Sequence, residues 1–274
     1  MIKDSIPKIS CVTVTTGRVD LIKKAIHCYT YQTYKNKELV VLSQGEDDEN
    51  NAIRQHIESL GRNDIVFLDA PNNLTLGAMR NASIEVARGS IICQWDDDDL
   101  YHPERIRTQY IALRNHSKNV GCAYSGFLKY FKNTGEVYWC DWMGEGTLSS
   151  QLLCGAVMFH KKIFHKYKNM LYPQTGDQCH VEEDLNVLQK LIAAGPVVPV
   201  SGSHHYVYVY HGKNTYDLEH HKLTLLTNSG KTIMDSSGLI SNKELLEQTF
   251  STMGVESPAT FKSLTEDAFT YDPK

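Results

Sequence analysis

The chain has 274 residues, 41% of them hydrophobic, which suits one large α/β domain or a domain with a small appendage. A formal net charge of -4 excludes the global basic field of a nucleic-acid binder, and no apolar run approaches the roughly 20 residues of a membrane span. Seven cysteines (11, 28, 93, 122, 140, 154 and 179) lie scattered without a CxxC pair, and no apolar segment precedes Pro7. This pattern predicts reduced thiols in a cytoplasmic protein without a signal peptide, any membrane contact being peripheral.

Ile9 to Thr15 is β-branched and apolar and predicts a buried strand, broken by Thr16-Gly17-Arg18. Asp20 is then placed to cap a helix with Leu21, Ile22, Ala25, Ile26 and Tyr29 on its apolar face. A second strand, Glu38 to Leu42, completes a βαβ unit with a parallel sheet. A polar loop from Ser43 to Asn51, a helix from Asn51 to Leu60 and a third strand from Asp64 to Leu68 follow. Gly77 to Ala87 reads as a helix carrying Arg80, and Ile91 to Gln94 as a strand.

That last strand runs into Trp95 and then four consecutive acids, Asp96 to Asp99. Adjacent carboxylates repel, so a fold that holds them together at a strand end needs a cation. Hard oxygen ligands there suit Mg²⁺ or Mn²⁺, ions commonly shared with substrate phosphates. A solvated acidic turn is the plain alternative. It fits less well, because an apolar run feeds into the acids and a Pro-initiated helix, Pro103 to Leu113, follows. In an open α/β sheet, ligands bind at the carboxyl ends of strands, where Thr15, Ser43-Gln44-Gly45 and Asp96 to Asp99 all fall.

Beyond the acids, Val120 to Tyr130 and Glu136 to Trp139 read as strands, as does Leu152 to Phe159. Lys161 to Tyr167 predicts a short helix, Tyr172 to His180 a polar loop, and Val181 to Ala194 a helix stopped by Gly195-Pro196. Val197 to Val200 and Tyr206 to Tyr210 read as strands, the second with an aromatic face. From Asp217 the character changes. His220 to Thr227 and Asn242 to Met253 have amphipathic helical spacing, and 257–274 is weakly patterned, a tail or docking segment.

These residues resemble family-2 glycosyltransferases of the GT-A fold over about the first four fifths of the chain. The opening strand with Thr15, Thr16 and Arg18, then Gln32-Thr33-Tyr34 before Glu38 to Val41, looks like the family's first βαβ unit. Asn73 to Asn81 with Gly77 and Arg80, the DxDD-x-x-x-P element of Asp96 to Asp99 and Pro103, Glu183-Asp184, and Tyr210 to Thr215 resemble its later motifs in order. The resemblance implies an α/β, GT-A type (Rossmann-like) open mixed sheet with helices on both faces and a small helical C-terminal segment. The implied division is a nucleotide-binding half over about 1–103, an acceptor half over about 104–216, and a helical extension over 217–274.

The resemblance also implies roles. Thr15, Thr16, Arg18, Arg80, Asp96, Asp97 and Gly155 would contact the nucleotide sugar. Asp98, with Asp96 and His211, would hold the divalent ion, and Asp184 would be the catalytic base with Glu183 as second candidate. Trp139 and Trp142 fall where the family builds its acceptor site, although core packing explains tryptophans almost as well. Ser43-Gln44 departs from the family, which usually carries an acid there to read the base. Gln44 both donates and accepts, so it can still meet a base edge, and UDP is the default expectation.

The chemistry expected is inverting transfer of a sugar from a nucleotide-diphosphate sugar to a hydroxyl on a glycan, a lipid-linked sugar, a metabolite or a modified biopolymer. A carboxylate activates the acceptor and a metal steadies the departing diphosphate. If His211 is a ligand, Mn²⁺ should serve better than Mg²⁺. A metal-dependent nucleotidyltransferase is a rival, but Thr15-Thr16-Gly17-Arg18 is too sparse for a triphosphate loop. A non-catalytic sugar-nucleotide-binding subunit is another, against which Asp184 stands. Lys129, Lys132, Lys161, Lys162, Lys166 and Lys168 offer a local basic face for a nucleic-acid acceptor. His204-His205 and His220-His221 read as surface or interface residues, and the segment after Asp217 as an acceptor cover, a subunit contact or a membrane contact.

Overall fold

The computed structural model describes residues 6–167, 172–180, 182–226 and 232–273. Strands β1 (Ile9–Thr15), β2 (Lys37–Ser43), β3 (Ile65–Asp69) and β4 (Ile91–Gln94) alternate with helices α1 (Val19–Thr30), α2 (Asp47–Ser59) and α3 (Leu76–Val86). The strands pair in parallel, β4 and β2 flanking β1 and β3 lying outside β2. Every residue of β1, β2 and β4 is buried, as expected of strands covered on both faces.

Two helix starts differ from the sequence reading. Arg18, not Asp20, holds the N-cap position of α1, and Asp20 lies in the first turn. Helix α2 begins at Asp47, inside the expected loop, because Glu46 and Glu49 form a capping box that satisfies the first backbone donors.

After β4 the chain crosses from one sheet to another. Residues 95–99 carry it to β5 (Leu100–Tyr101), which belongs to the second sheet, and α4 (Arg105–Arg114) follows. The expected strand Val120 to Tyr130 is two strands, β6 (Gly121–Tyr124) in the first sheet and β7 (Gly126–Phe131) in the second. The break falls at Ser125, whose backbone N–H and hydroxyl both turn to the Val200 carbonyl. Gly126 then passes so close to the next strand that a Cβ would stand 2.8 Å from the Cys140 carbonyl oxygen. Strand β8 (Glu136–Asp141) pairs antiparallel with β7.

The expected strand Leu152 to Phe159 survives only as β9 (Met158–His160), antiparallel to β4 and β6. Ahead of it, Cys154–Ala156 coil into a 3₁₀ turn. Helices α5 (Lys161–Lys166) and α6 (Glu183–Ala194) and strands β10 (Val197–Val200) and β11 (Tyr206–Tyr210) follow. The first sheet thus runs β10-β6-β9-β4-β1-β2-β3.

The chain after Asp217 is helical, as expected, in α7 (Leu218–Leu226), α8 (Ser236–Ser241) and α9 (Lys243–Thr252), with a two-residue strand β12 (Thr232–Ile233) on β8. The segment read as a tail is instead a hairpin of β13 (Ala259–Lys262) and β14 (Asp267–Tyr271). Its first strand pairs in parallel with β8, extending the second sheet to β14-β13-β8-β7-β11-β5. Ala259, Phe261 and Tyr271 are buried there against Phe250 of α9. The short alternation was masked in sequence by the exposed threonines and acids on its outer face. Among the described residues no helix is long and apolar enough to cross a membrane.

Candidate active site

The four aspartates lie on the crossing between the sheets, and the fold gives each a different set of partners. Asp96 accepts from Arg80 Nη1 at 2.9 Å. Asp97 takes Arg18 Nε at 3.1 Å and also Nη2. Asp98 Oδ2 accepts from Arg18 Nη1 at 3.0 Å and lies 3.3 Å from His211 Nε2. Asp99 accepts from the Tyr206 hydroxyl at 2.6 Å and from the Val209 backbone at 2.9 Å, which ties β5 and β11 to the cluster.

The electrostatics follow. Burial, reinforced by the Asp98 charge and opposed by Arg18, pushes Asp97 up to about 7. Burial and the charges of Asp98 and Asp96 raise Asp99 well above the usual carboxylate range. Burial also raises Asp96 against the pull of Arg80. Asp98 behaves oppositely. Burial would raise it, but the His211 hydrogen bond and the Arg18 charge outweigh that and hold it below its ordinary value. Asp98 is therefore the acid of the four best prepared to stay anionic. Beneath the cluster, Arg105 is fully buried, donates to the Gln94 carbonyl at 2.7 Å and lies over the rings of Trp95, Tyr101 and Tyr206 at 4.8, 4.2 and 4.9 Å.

Helix α6 supplies the facing wall. Its N-cap, Glu182, has φ 62°, the only non-glycine residue with positive φ among those described. Such a conformation costs on the order of 1–3 kcal/mol and persists where surrounding structure enforces it. Here the next residue, Glu183, is buried and accepts from Arg80 Nε at 2.9 Å. Arg80 thus joins Asp96 on one wall to Glu183 on the other, and the two carboxylates outweigh its burial and keep it charged. Asp184 follows, with Oδ1 on its neighbour's backbone N–H at 2.7 Å.

Between the walls lies a cleft of about 690 Å³ lined by Arg18, Arg80, Asp96 to Asp99, Glu182 to Asp184, Tyr208 and Asn214 to Tyr216. Gly155, in the 3₁₀ turn, packs closely against two of its acids. A Cβ there would stand 2.8 Å from Asp96 Oδ2 and 3.8 Å from Asp184 Oδ2. A second, small cavity lies behind the acids, where Val255 and its neighbours meet Leu21, Tyr130 and His211.

The structure brings Arg18, Arg80, Asp96, Asp97, Asp98, Gly155, Glu183, Asp184 and His211 to one place. Thr15 and Gln44 sit together at the ends of β1 and β2, the Gln44 backbone N–H bonding the Thr15 carbonyl at 2.9 Å, and Thr16 is exposed beside them. The Gln44 Oε1 is buried without a donor among the described residues. Trp139 and Trp142 do not line the cleft. Trp139 packs against His204, and Trp142 meets Phe127 edge-on at 4.8 Å, one ring behind Tyr208.

Two surface readings are corrected. His221 is fully buried, reaching from α7 to pair with Lys129, itself fully buried, so Lys129 contributes to no basic face. Lys161 is turned to the carbonyls of Glu85 and Ala87, and Lys168 lies outside the described residues. His204 and His205 are half-buried against His102. Sequence reasoning missed Tyr206, Arg105 and Tyr172, whose hydroxyl donates to Gln94 Oε1 at 2.8 Å and whose ring lies 5.7 Å from the Arg80 guanidinium. The signal for Tyr206 was present in the tyrosine alternation of β11, but nothing in that spacing said that the face meets Asp99.

The donor set fits a divalent cation. Asp98, which lines the cleft, and His211, which lines the cavity behind it, present a carboxylate and an imidazole 3.3 Å apart, a nitrogen–oxygen pair suited to Mn²⁺. Among the described residues no set of three or more His, Cys, Asp or Glu encloses a metal site.

Comparison with known proteins bears on the family and the fold. The family model described as Glycosyl transferase family 2 matches residues 10–182. An uncharacterized glycosyltransferase of Methanocaldococcus jannaschii is 28% identical over 112 residues, covering 40% of this chain and 38% of the relative. The putative glycosyltransferase EpsH of Bacillus subtilis is 25% identical over 130 residues, covering 47% and 36%. The chain therefore spans well under half the length of these relatives. Among solved structures, the mannosyltransferase PcManGT from Pyrobaculum calidifontis in complex with GDP-Man and Mn²⁺ aligns with TM-score 0.58 at 14% identity, covering 77% of this chain and 59% of that one. S. aureus TarS 1–349 in complex with UDP aligns with TM-score 0.55 at 14% identity, covering 89% and 72%. At such identities the likeness establishes the fold alone, and that fold is of the GT-A type.

Proposed function

The chain belongs to glycosyl transferase family 2, and from that premise we propose that it is a metal-dependent, inverting glycosyltransferase that moves a sugar from a nucleotide-diphosphate sugar to an acceptor hydroxyl. One observation carries this reading. Asp96, Asp98 and Asp184 line one cleft, Gly155 lies against Asp96 and Asp184, and His211 meets Asp98 from the cavity behind. A donor-binding acid, a candidate base and a metal-binding acid therefore share one space, with His211 behind the last of them.

In this reading Asp184 takes the proton of the attacking hydroxyl, a role that contributes about 10²–10⁴ in rate. Glu183 is not the base, because Arg80 clamps it, and it positions Asp184 by fixing the first turn of α6. The acceptor approaches from the Asp184 side, where Tyr208 and Tyr216 line the cleft and Trp142 backs Tyr208 through Phe127. Gly155 leaves room beside Asp96 and Asp184 for the sugar. Asp98 and His211 would hold the divalent ion, Mn²⁺ in preference to Mg²⁺, which supplies Lewis-acid stabilisation of the departing diphosphate. Thr15 and Gln44 read the base. The amide of Gln44 offers one acceptor and two donors, matching an edge such as that of uracil, and PcManGT and TarS were solved with GDP-Man and with UDP respectively. The seven free thiols suit a reducing compartment such as the cytoplasm.

The test is a donor screen that measures nucleoside diphosphate release with Mn²⁺ and with EDTA, beside Asp184→Asn. The expected result is Mn²⁺-dependent turnover of one nucleotide sugar, reduced at least about 100-fold in Asp184→Asn with donor binding retained. Turnover that survives this substitution, or a product that retains the donor's anomeric configuration, would contradict the mechanism.

A further inference from the structure

Arg18 occupies an unexpected position for a residue whose family resemblance suggests only a nucleotide contact. Its guanidinium points into the acids, Nε at 3.1 Å from Asp97, Nη2 on the same carboxylate, and Nη1 at 3.0 Å from Asp98 Oδ2. That Asp98 oxygen also faces His211 Nε2 at 3.3 Å. Arg18 thus takes one lone pair of this oxygen, and the imidazole crowds the other. A divalent ion cannot take this oxygen without displacing a donor. Displacing Arg18 means breaking charge-assisted hydrogen bonds, the strong kind, one carboxylate of which is gripped by two nitrogens. The side chain is about one-third exposed and issues from the N-cap of α1, so it can swing into the cleft without disturbing the helix.

We infer that Arg18 stands in for the metal at Asp97 and Asp98, and that it hands its guanidinium from these carboxylates to the donor's diphosphate when the ion arrives. The inference rests on the donor-site reading above. The exchange conserves pairing. The ion replaces the guanidinium as the acids' counter-charge, and the phosphate oxygens replace the carboxylates as its bidentate acceptors. Metal and nucleotide binding are thereby coupled, and each tightens the other by the same factor.

The experiment titrates Mn²⁺ alone, and Mn²⁺ with UDP, into the full chain, with free Mn²⁺ followed by electron paramagnetic resonance. Wild type is compared with Arg18→Gln and Arg18→Lys, their folding checked by circular dichroism. The expected result for Mn²⁺ alone is binding at least about fivefold tighter in Arg18→Gln, where the competing cation is gone. Arg18→Lys, which keeps the charge without the fork, should bind at least about twofold tighter and carries the test should Arg18→Gln not fold. UDP should tighten Mn²⁺ at least about tenfold in wild type but no more than about threefold in Arg18→Gln. Equal or weaker Mn²⁺ binding by both variants overturns the inference and leaves the donor site standing. Failure of wild type to bind UDP strikes the donor-site reading instead, and the Mn²⁺ arm still decides whether Arg18 holds the metal's place.

Discussion

Lys129 is fully buried on β7, with its ammonium 3.5 Å from the centre of the Tyr208 ring and paired with His221 from α7. Burial, opposed by Asp99, brings its pKa down to about 7 from an ordinary 10.5, while burial and the neighbouring Lys129 hold His221 down at about 3. The sign for stability follows. Between pH 7 and 10.5 the unfolded chain binds a proton that the folded lysine lacks, so the penalty for burying the charge is full below about pH 7 and relieved as pH rises. One proton corresponds to at most about 1.4 kcal/mol per pH unit. The melting temperature of wild type should therefore rise relative to Lys129→Met between pH 7 and pH 9.5, measured by scanning calorimetry. Parallel profiles would show that the lysine stays protonated in the fold. Residue identity alone placed this side chain on a basic surface, because a lysine's burial is decided by partners far away in sequence, here His221 and Tyr208. The aspartates were easier to read. Four adjacent charges at the end of an apolar strand demand compensation, and the structure meets that demand in part with Arg18 and Arg80. Which acid takes which cation depended on the geometry of the crossing and was not in the spacing.

Among the elements, the alternating strands and helices of the first hundred residues were legible, since each buried strand is a continuous apolar run and each helix carries an apolar stripe. The reading failed where one apolar run serves two sheets. Nothing in Val120 to Tyr130 signals a change of sheet at Ser125 except Gly126, a small residue where two backbones touch. It failed again at the C-terminal hairpin, whose strands of four and five residues are too short for a period to stand out. That hairpin is structural. Phe261 and Tyr271 are buried in it, each contributing roughly 1.5–3 kcal/mol. A chain ending at Glu256 should consequently melt at least about 5 °C lower than wild type or fail to stay soluble. An unchanged melting temperature would restore the reading of 257–274 as a dispensable tail. The same hairpin follows directly on Gly254 to Ser257, which line the cavity behind Asp97 to Asp99, so the extension helps to build the surroundings of the site.

At the scale of the molecule, two sheets meet at one seam, and the aspartates are that seam. The first sheet presents Gln94 and the ends of β1 and β2; the second presents Asp99's partners on β11 and, just beyond it, His211. Helix α6, held by Arg80 and by the left-handed turn at Glu182, closes the cleft from the side opposite Arg18. A site assembled at such a junction gathers residues from positions 18 to 216, which explains why motifs far apart in the chain could be ordered in sequence but not brought face to face. Family membership and the GT-A architecture establish the scaffold; the reaction rests on what the cleft holds. The most direct test is a crystal structure of the protein with Mn²⁺ and a UDP-sugar. The account predicts Mn²⁺ on Asp98 and His211, the diphosphate beside it, and the sugar over Gly155 with its anomeric carbon toward Asp184. A ligand bound outside this cleft, or within it without contact to Asp98, would contradict the account.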